Sequence, residues 1–262
     1  MFNFLKSNKK FEPLDKELRK YFENNFLWLM QEFPEPKIEE RKILTPTNKD
    51  FPIKWNKSQK NAIEALKIIC DNMQLDPNEI KLDFYDNGIK EIDMGTSVIF
   101  MESDPNNPEA AGLYHHEKVD GKYSISLDEA LLERPENLIA TIAHELSHVK
   151  LLGEIMLDQN DEMLTDFTTV FFGLGIFNAN CAFQFYNQND RWGHSNLGYL
   201  KIDEWAYALA LMAFIRHEDE PEWKQFLSKT IKSDFEKCLS YMIDNQEEIF
   251  KFDDEKTATN IL

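Results

Sequence analysis

Residues 144–148 read His-Glu-Leu-Ser-His, and this short run carries most of the chemistry visible in the chain. An α-helix turns about 100° per residue, so positions four apart lie nearly above one another. His144 and His148 therefore project from one face and can share a single metal ion. Glu145 lies beside them, placed to take a proton from an attacking water and poorly placed to be a main ligand. This is the HExxH arrangement of a zinc-dependent hydrolase.

Histidine is rare here. The others are His115, His116, His194 and His217. Adjacent strand residues face opposite ways, so His115 and His116 do not bind one metal together. His217 closes a helix, where the dipole explains it.

The helix around the motif is legible. Arg134-Pro135-Glu136-Asn137 offers a start with proline in the first turn. Leu138, Ile139, Ile142, Ala143, Leu146 and Val149 follow at helical spacing, and Gly153 is the expected stop. Two histidines do not complete a catalytic zinc site, which takes three protein ligands and leaves a fourth position open. Leu151 and Glu154 occupy the places of the glycine and histidine in the extended HExxHxxGxxH pattern, so that form is excluded. The acids within reach downstream are Glu154, Asp158, Asp161, Glu162 and Asp166. Glu162 and Asp166 stand four apart and share a helical face.

The pair of motifs, HELSH followed by ExxxD, resembles the gluzincins, the thermolysin-like zinc metallopeptidases, over roughly residues 120–175. The longer stretches HELSHVKLLGE, DEMLTDFTTVFFGLGIFNAN and NLGYLKIDEWAYALAL are also similar to a group of bacterial cytosolic zincin-like proteins. The resemblance implies that Zn²⁺ is held by His144, His148 and Glu162. It implies that Asp166 accepts a hydrogen bond from the far nitrogen of a ligand histidine, His144. It also implies a hydrogen-bond donor to the developing oxyanion, for which His194 and Tyr199 are the candidates. Arg191, in the same glycine-containing loop, is suited to a substrate carboxylate. The connection from His148 to Glu162 is shorter than in thermolysin and demands a tight turn. An alternative keeps the scaffold but not the reaction: a binding or regulatory module in which zinc joins two helices.

The rest of the chain must position these groups. Its 262 residues are 42% hydrophobic with 20 phenylalanines, enough for a sizeable core. Residues 13–33 and 58–73 carry apolar side chains at helical spacing, with Pro34 and Asp76-Pro77 as breaks. Residues 80–85, 97–101, 112–117 and 123–127 are short, β-rich and bounded by turn residues. They predict a small, mostly antiparallel sheet before the HExxH helix, with 123–127 or 97–101 at its edge. Beyond 137 the pattern is helical over 161–178, 202–217 and from Pro221 to about 243, with 179–187 irregular. The expected fold is α+β and zincin-like: an N-terminal helix and linker over 1–56, then a metallopeptidase domain over 57–262.

Cys70, Cys181 and Cys238 are widely spaced and form no disulfide framework. The net charge of −18 disfavours nucleic acid and anionic membrane as partners and leaves a peptide or protein substrate. No apolar run reaches bilayer length, and no long apolar stretch follows the N-terminal charges, so the expected compartment is the cytoplasm.

Overall fold

Phenylalanine spacing explains how the first helix is held. A computed structural model describes residues 11–85, 90–93, 98–101, 112–119, 121–188 and 200–251. Helix α1 (Lys16–Glu32) starts at Asp15, whose side chain accepts from Leu18 N at 3.0 Å. Phe22 and Phe26, one turn apart, are completely buried. Their rings meet Phe167 of helix α4 (Glu162–Phe171) at centroid distances of 5.1 and 5.7 Å, and Phe26 meets Phe171 at 5.6 Å. Each such ring contributes roughly 1.5–3 kcal/mol by leaving water. The N-terminal helix is thus packed directly on the helix that carries Glu162.

Helix α2 (Gln59–Met73) is capped by Ser58 and buries Ala62, Ala65, Leu66, Ile69, Cys70 and Met73 on one face. That face packs against α3 (Pro135–His148), the HExxH helix. After α4 come α5 (Gly175–Gln188), α6 (Ile202–Ile215) and α7 (Lys229–Asp244). Residues 179–187, expected to be irregular, belong to α5. Two asparagines of α5 tie it to its neighbours: Asn178 donates to Ala140 O at 3.0 Å, and Asn180 donates to Phe226 O at 2.8 Å.

The fold is α+β and mostly helical, but the sheet is not the largely antiparallel one expected. Strand β1 (Ile80–Tyr85) lies parallel to β5 (Lys122–Asp128), with Ile80 opposite Tyr123 and Tyr85 opposite Asp128. Strand β4 (Gly112–Val119) flanks β5 on the other side and runs antiparallel to it. Strands β2 (Lys90–Asp93) and β3 (Val98–Met101) form a separate antiparallel ribbon. The physical reason is burial: β5 has Ile125 and Leu127 fully buried and takes the centre of its sheet with a partner on each edge. Residues 123–127 are therefore an internal strand, not a rim. A parallel neighbour needs a long crossover rather than a tight turn, and the chain between β1 and β5 supplies one.

Gly173 closes the helix that carries Glu162. It adopts φ +76°, a conformation that favours glycine, and its carbonyl accepts from Leu44 N at 2.8 Å. A Cβ there would overlap the Lys42 carbonyl oxygen. Gly173→Ala combines left-handed strain with a backbone collision, a loss of at least about 2 kcal/mol. The expected result is a thermal midpoint lower by roughly 4–8 °C. An unchanged midpoint would show that the 42–44 segment yields freely.

Candidate metal centre

Two helices bring the site together. His144 and His148 come from α3, one turn apart, with ring centroids 4.9 Å apart and planes nearly perpendicular. The chain then changes its winding. Residues Val149–Glu154 form a π-helical turn, so the expected stop at Gly153 is instead a point inside this wider turn. Gly153 lies against the Tyr123 ring so closely that a Cβ would come within 2.6 Å of it. The sheet thereby presses on the turn that leads from one ligand helix toward the other. Such π turns concentrate at functional sites because they re-aim the flanking side chains.

Helix α4 begins at Glu162 itself. Asp161 caps it by accepting from Leu164 N at 3.1 Å, and its second oxygen accepts from Tyr21 O–H at 2.7 Å. Asn160 donates to Glu162 Oε1 at 2.7 Å and so orients the carboxylate. The other oxygen, Oε2, stands 3.2 Å from His144 Nε2 and 3.4 Å from His148 Nε2. One ligand atom from each of these three residues falls within 4.8 Å of the others, and together they can hold a metal ion. Glu162 Oε2 is a buried oxygen that accepts no hydrogen bond of good geometry. A cation shared with the two imidazoles would satisfy it, so the residues fit a metal of the kind that takes nitrogen and oxygen donors.

Both histidines are held from behind. His144 Nδ1 meets Asp166 Oδ1 at 2.9 Å, and the second oxygen of that buried carboxylate accepts from Leu200 N at 3.1 Å. His148 Nδ1 stands 3.4 Å from Thr165 Oγ1, whose own hydroxyl donates to Asp161 O at 2.9 Å. Thr165 is therefore an acceptor toward His148. With Nδ1–H donating on each ring, both Nε2 lone pairs are left for the metal side.

The electrostatics favour positive charge here. Burial works against a charged His144 ring, but Asp166 and then Glu162 outweigh it and raise its pKa well above the ordinary histidine value. Burial would likewise raise the Glu162 carboxyl, yet His144 and His148 hold it well below the usual carboxylate range. Glu145 is 5% exposed and points from the same helix. The Tyr85 hydroxyl, at the end of β1, is pushed up to about 12 by burial, with Asp128 and Glu145 adding to it. It keeps its proton at neutral pH.

Of the expected residues, His144, His148, Glu162 and Asp166 are brought together, and Glu145 is buried alongside them. Asp161 is a helix cap rather than a ligand, and Glu154 pairs with Lys150 at 2.7 Å. Arg191, His194 and Tyr199 lie outside the described residues. Thr165 and the Leu200 amide were not expected. Thr165 was open to discovery, because if Asp166 serves one histidine the other needs a partner. The Leu200 contact joins distant segments, and no local signal marks it. Cys70, Cys181 and Cys238 are buried free thiols, each pushed up to about 12, chiefly by burial, and are not poised as nucleophiles. Among the described residues no helix is long and apolar enough to cross a membrane. The chain matches no protein-family model, no curated protein and no solved structure.

Proposed function

We propose that the chain is a zinc-dependent hydrolase of the gluzincin type that cleaves peptide bonds. The observation that carries this reading is the approach of His144 Nε2 and His148 Nε2 to Glu162 Oε2, at 3.2 and 3.4 Å. Zinc held there supplies a Lewis acid that lowers the pKa of water and polarises a carbonyl. Glu145 receives the proton of the attacking water and returns it to the leaving amine. Asp166 and Thr165 keep the two rings in the tautomer that leaves Nε2 free. His194 and Tyr199 are proposed, from the sequence, as donors to the developing oxyanion.

Support for an open site comes from Asp166. Both of its oxygens are engaged on the far side of His144, so it does not close the centre as a fourth ligand. Among the described residues no further histidine, cysteine or acid joins the three. Three protein ligands with a free position mark catalytic zinc sites, whereas structural sites take four.

A peptide-library digest by the full chain, with and without a zinc chelator, tests the reading. New peptide ends are expected without chelator, none with it, and recovery on adding zinc. Cleavage that survives the chelator would overturn the zinc chemistry. A zinc-loaded protein that cuts nothing would overturn the hydrolase and leave a zinc-joined binding scaffold.

A further inference from the structure

The end of α1, the segment that follows it and the last residue of α4 surround a pocket of about 230 Å³. Phe33, Ile38 and Phe171 supply apolar walls, and Arg41 is the buried charge among them, only 5% exposed. Lys37 and Glu39 stand exposed at the rim. None of the three metal-site residues lines this pocket, so what it binds is independent of the zinc reading.

The frame around Arg41 is fixed. Its carbonyl and that of Ile38 both accept from Arg216 Nη1. Its side chain reaches the opposite way: Nη2 donates to Phe33 O and Glu35 O, and the guanidinium carbon lies 4.3 Å from the Phe171 ring centroid. The guanidinium therefore sits between two walls of the pocket, Phe33 and Phe171. Among the described residues no carboxylate pairs with it. Burial pushes its pKa down to about 10, which Glu35 only partly offsets, and it stays charged at neutral pH. Nε and Nη1 donate to no described residue, and neither is sealed from solvent. Buried charges are paired as a rule, so this one lacks its counterion.

The walls narrow the choice of counterion. A neutral apolar guest would leave the guanidinium unmatched, and a cation would be repelled. A phosphate would bring further charged oxygens against hydrocarbon, with Glu39 opposing it at the rim. The volume falls below the roughly 300–1,000 Å³ of drug-sized sites, so the guest is small. We propose that this pocket binds a small monocarboxylate with an apolar body. The carboxylate accepts from the Arg41 N–H groups that have no protein acceptor, and the apolar body lies against Phe33 and Ile38.

Phenylacetate is the probe, titrated into the full chain and followed by saturation-transfer NMR. A dissociation constant on the order of 1 mM is expected for a ligand of this size. Phenylacetamide, the same shape without charge, should bind at least about tenfold more weakly. Inorganic phosphate should not displace phenylacetate. Arg41→Met should abolish binding. Glu39→Lys, an exposed change outside the metal site, should tighten it several-fold at low ionic strength. No binding of phenylacetate, equal binding of acid and amide, displacement by phosphate, or an unchanged affinity in Glu39→Lys would each overturn the proposal. Should Arg41→Met fail to fold, the amide comparison and Glu39→Lys decide it.

Discussion

Glu145→Gln is expected to leave metal uptake intact and to cut peptide cleavage by roughly 10²–10⁴-fold. Glutamine matches glutamate in size, so the helix and the two imidazoles stay where they are. What is lost is the ability to receive a proton. The three groups that converge on the metal position are His144, His148 and Glu162, and Glu145 is not one of them. A role in binding therefore predicts parallel losses of metal and rate, whereas a role as base separates them. The assay is the same peptide digest, run on parent and variant at equal zinc content. Equal cleavage by the two proteins would remove Glu145 from the proposed chemistry, and loss of zinc in the variant would recast it as a ligand.

The second large effect concerns the carboxylates of α4. Glu162→Ala deletes one of three donors and is expected to lower zinc affinity by more than the roughly 10–100-fold that the loss of an outer partner costs. Asp166→Asn touches no metal, yet an affinity loss of roughly 10–100-fold is expected. The reason lies in its two bonds. Asp166 accepts from His144 Nδ1 with one oxygen and from Leu200 N with the other. Asparagine has a single acceptor oxygen, so its NH₂ must face one of those donors. Either the His144 ring loses its orientation or the segment at Leu200 lifts away. Competition against a fluorescent zinc chelator would order the three proteins as parent, Asp166→Asn, then Glu162→Ala. An Asp166→Asn protein that binds zinc as tightly as the parent would show that His144 does not need a carboxylate tied to both His144 and Leu200.

The site was far easier to read from the sequence than the frame around it, and the difference follows from range. Four-residue spacing on a helix is local, so His144 with His148 and Glu162 with Asp166 announce shared faces before any packing is known. Ser58 and Asp161 occupy helix starts as their side chains predict. The parallel β1–β5 pairing is a long-range choice, and strand-forming residues say nothing about direction. The π turn at Val149–Glu154 has no propensity signature. It sits where Gly153 meets Tyr123, two residues far apart in the chain. The part of helix α5 beyond 178 reads as irregular in the sequence, and Asn180 within it commits its amide to a tertiary contact rather than a local turn.

The central claim is that one divalent ion is held jointly by α3 and α4. Calorimetric titration of zinc into chelator-treated full chain, beside His148→Ala, tests it most directly. One zinc per chain is expected for the parent, with tight uptake abolished in the variant. A parent that takes up no zinc, or a variant that binds it equally well, would contradict the claim.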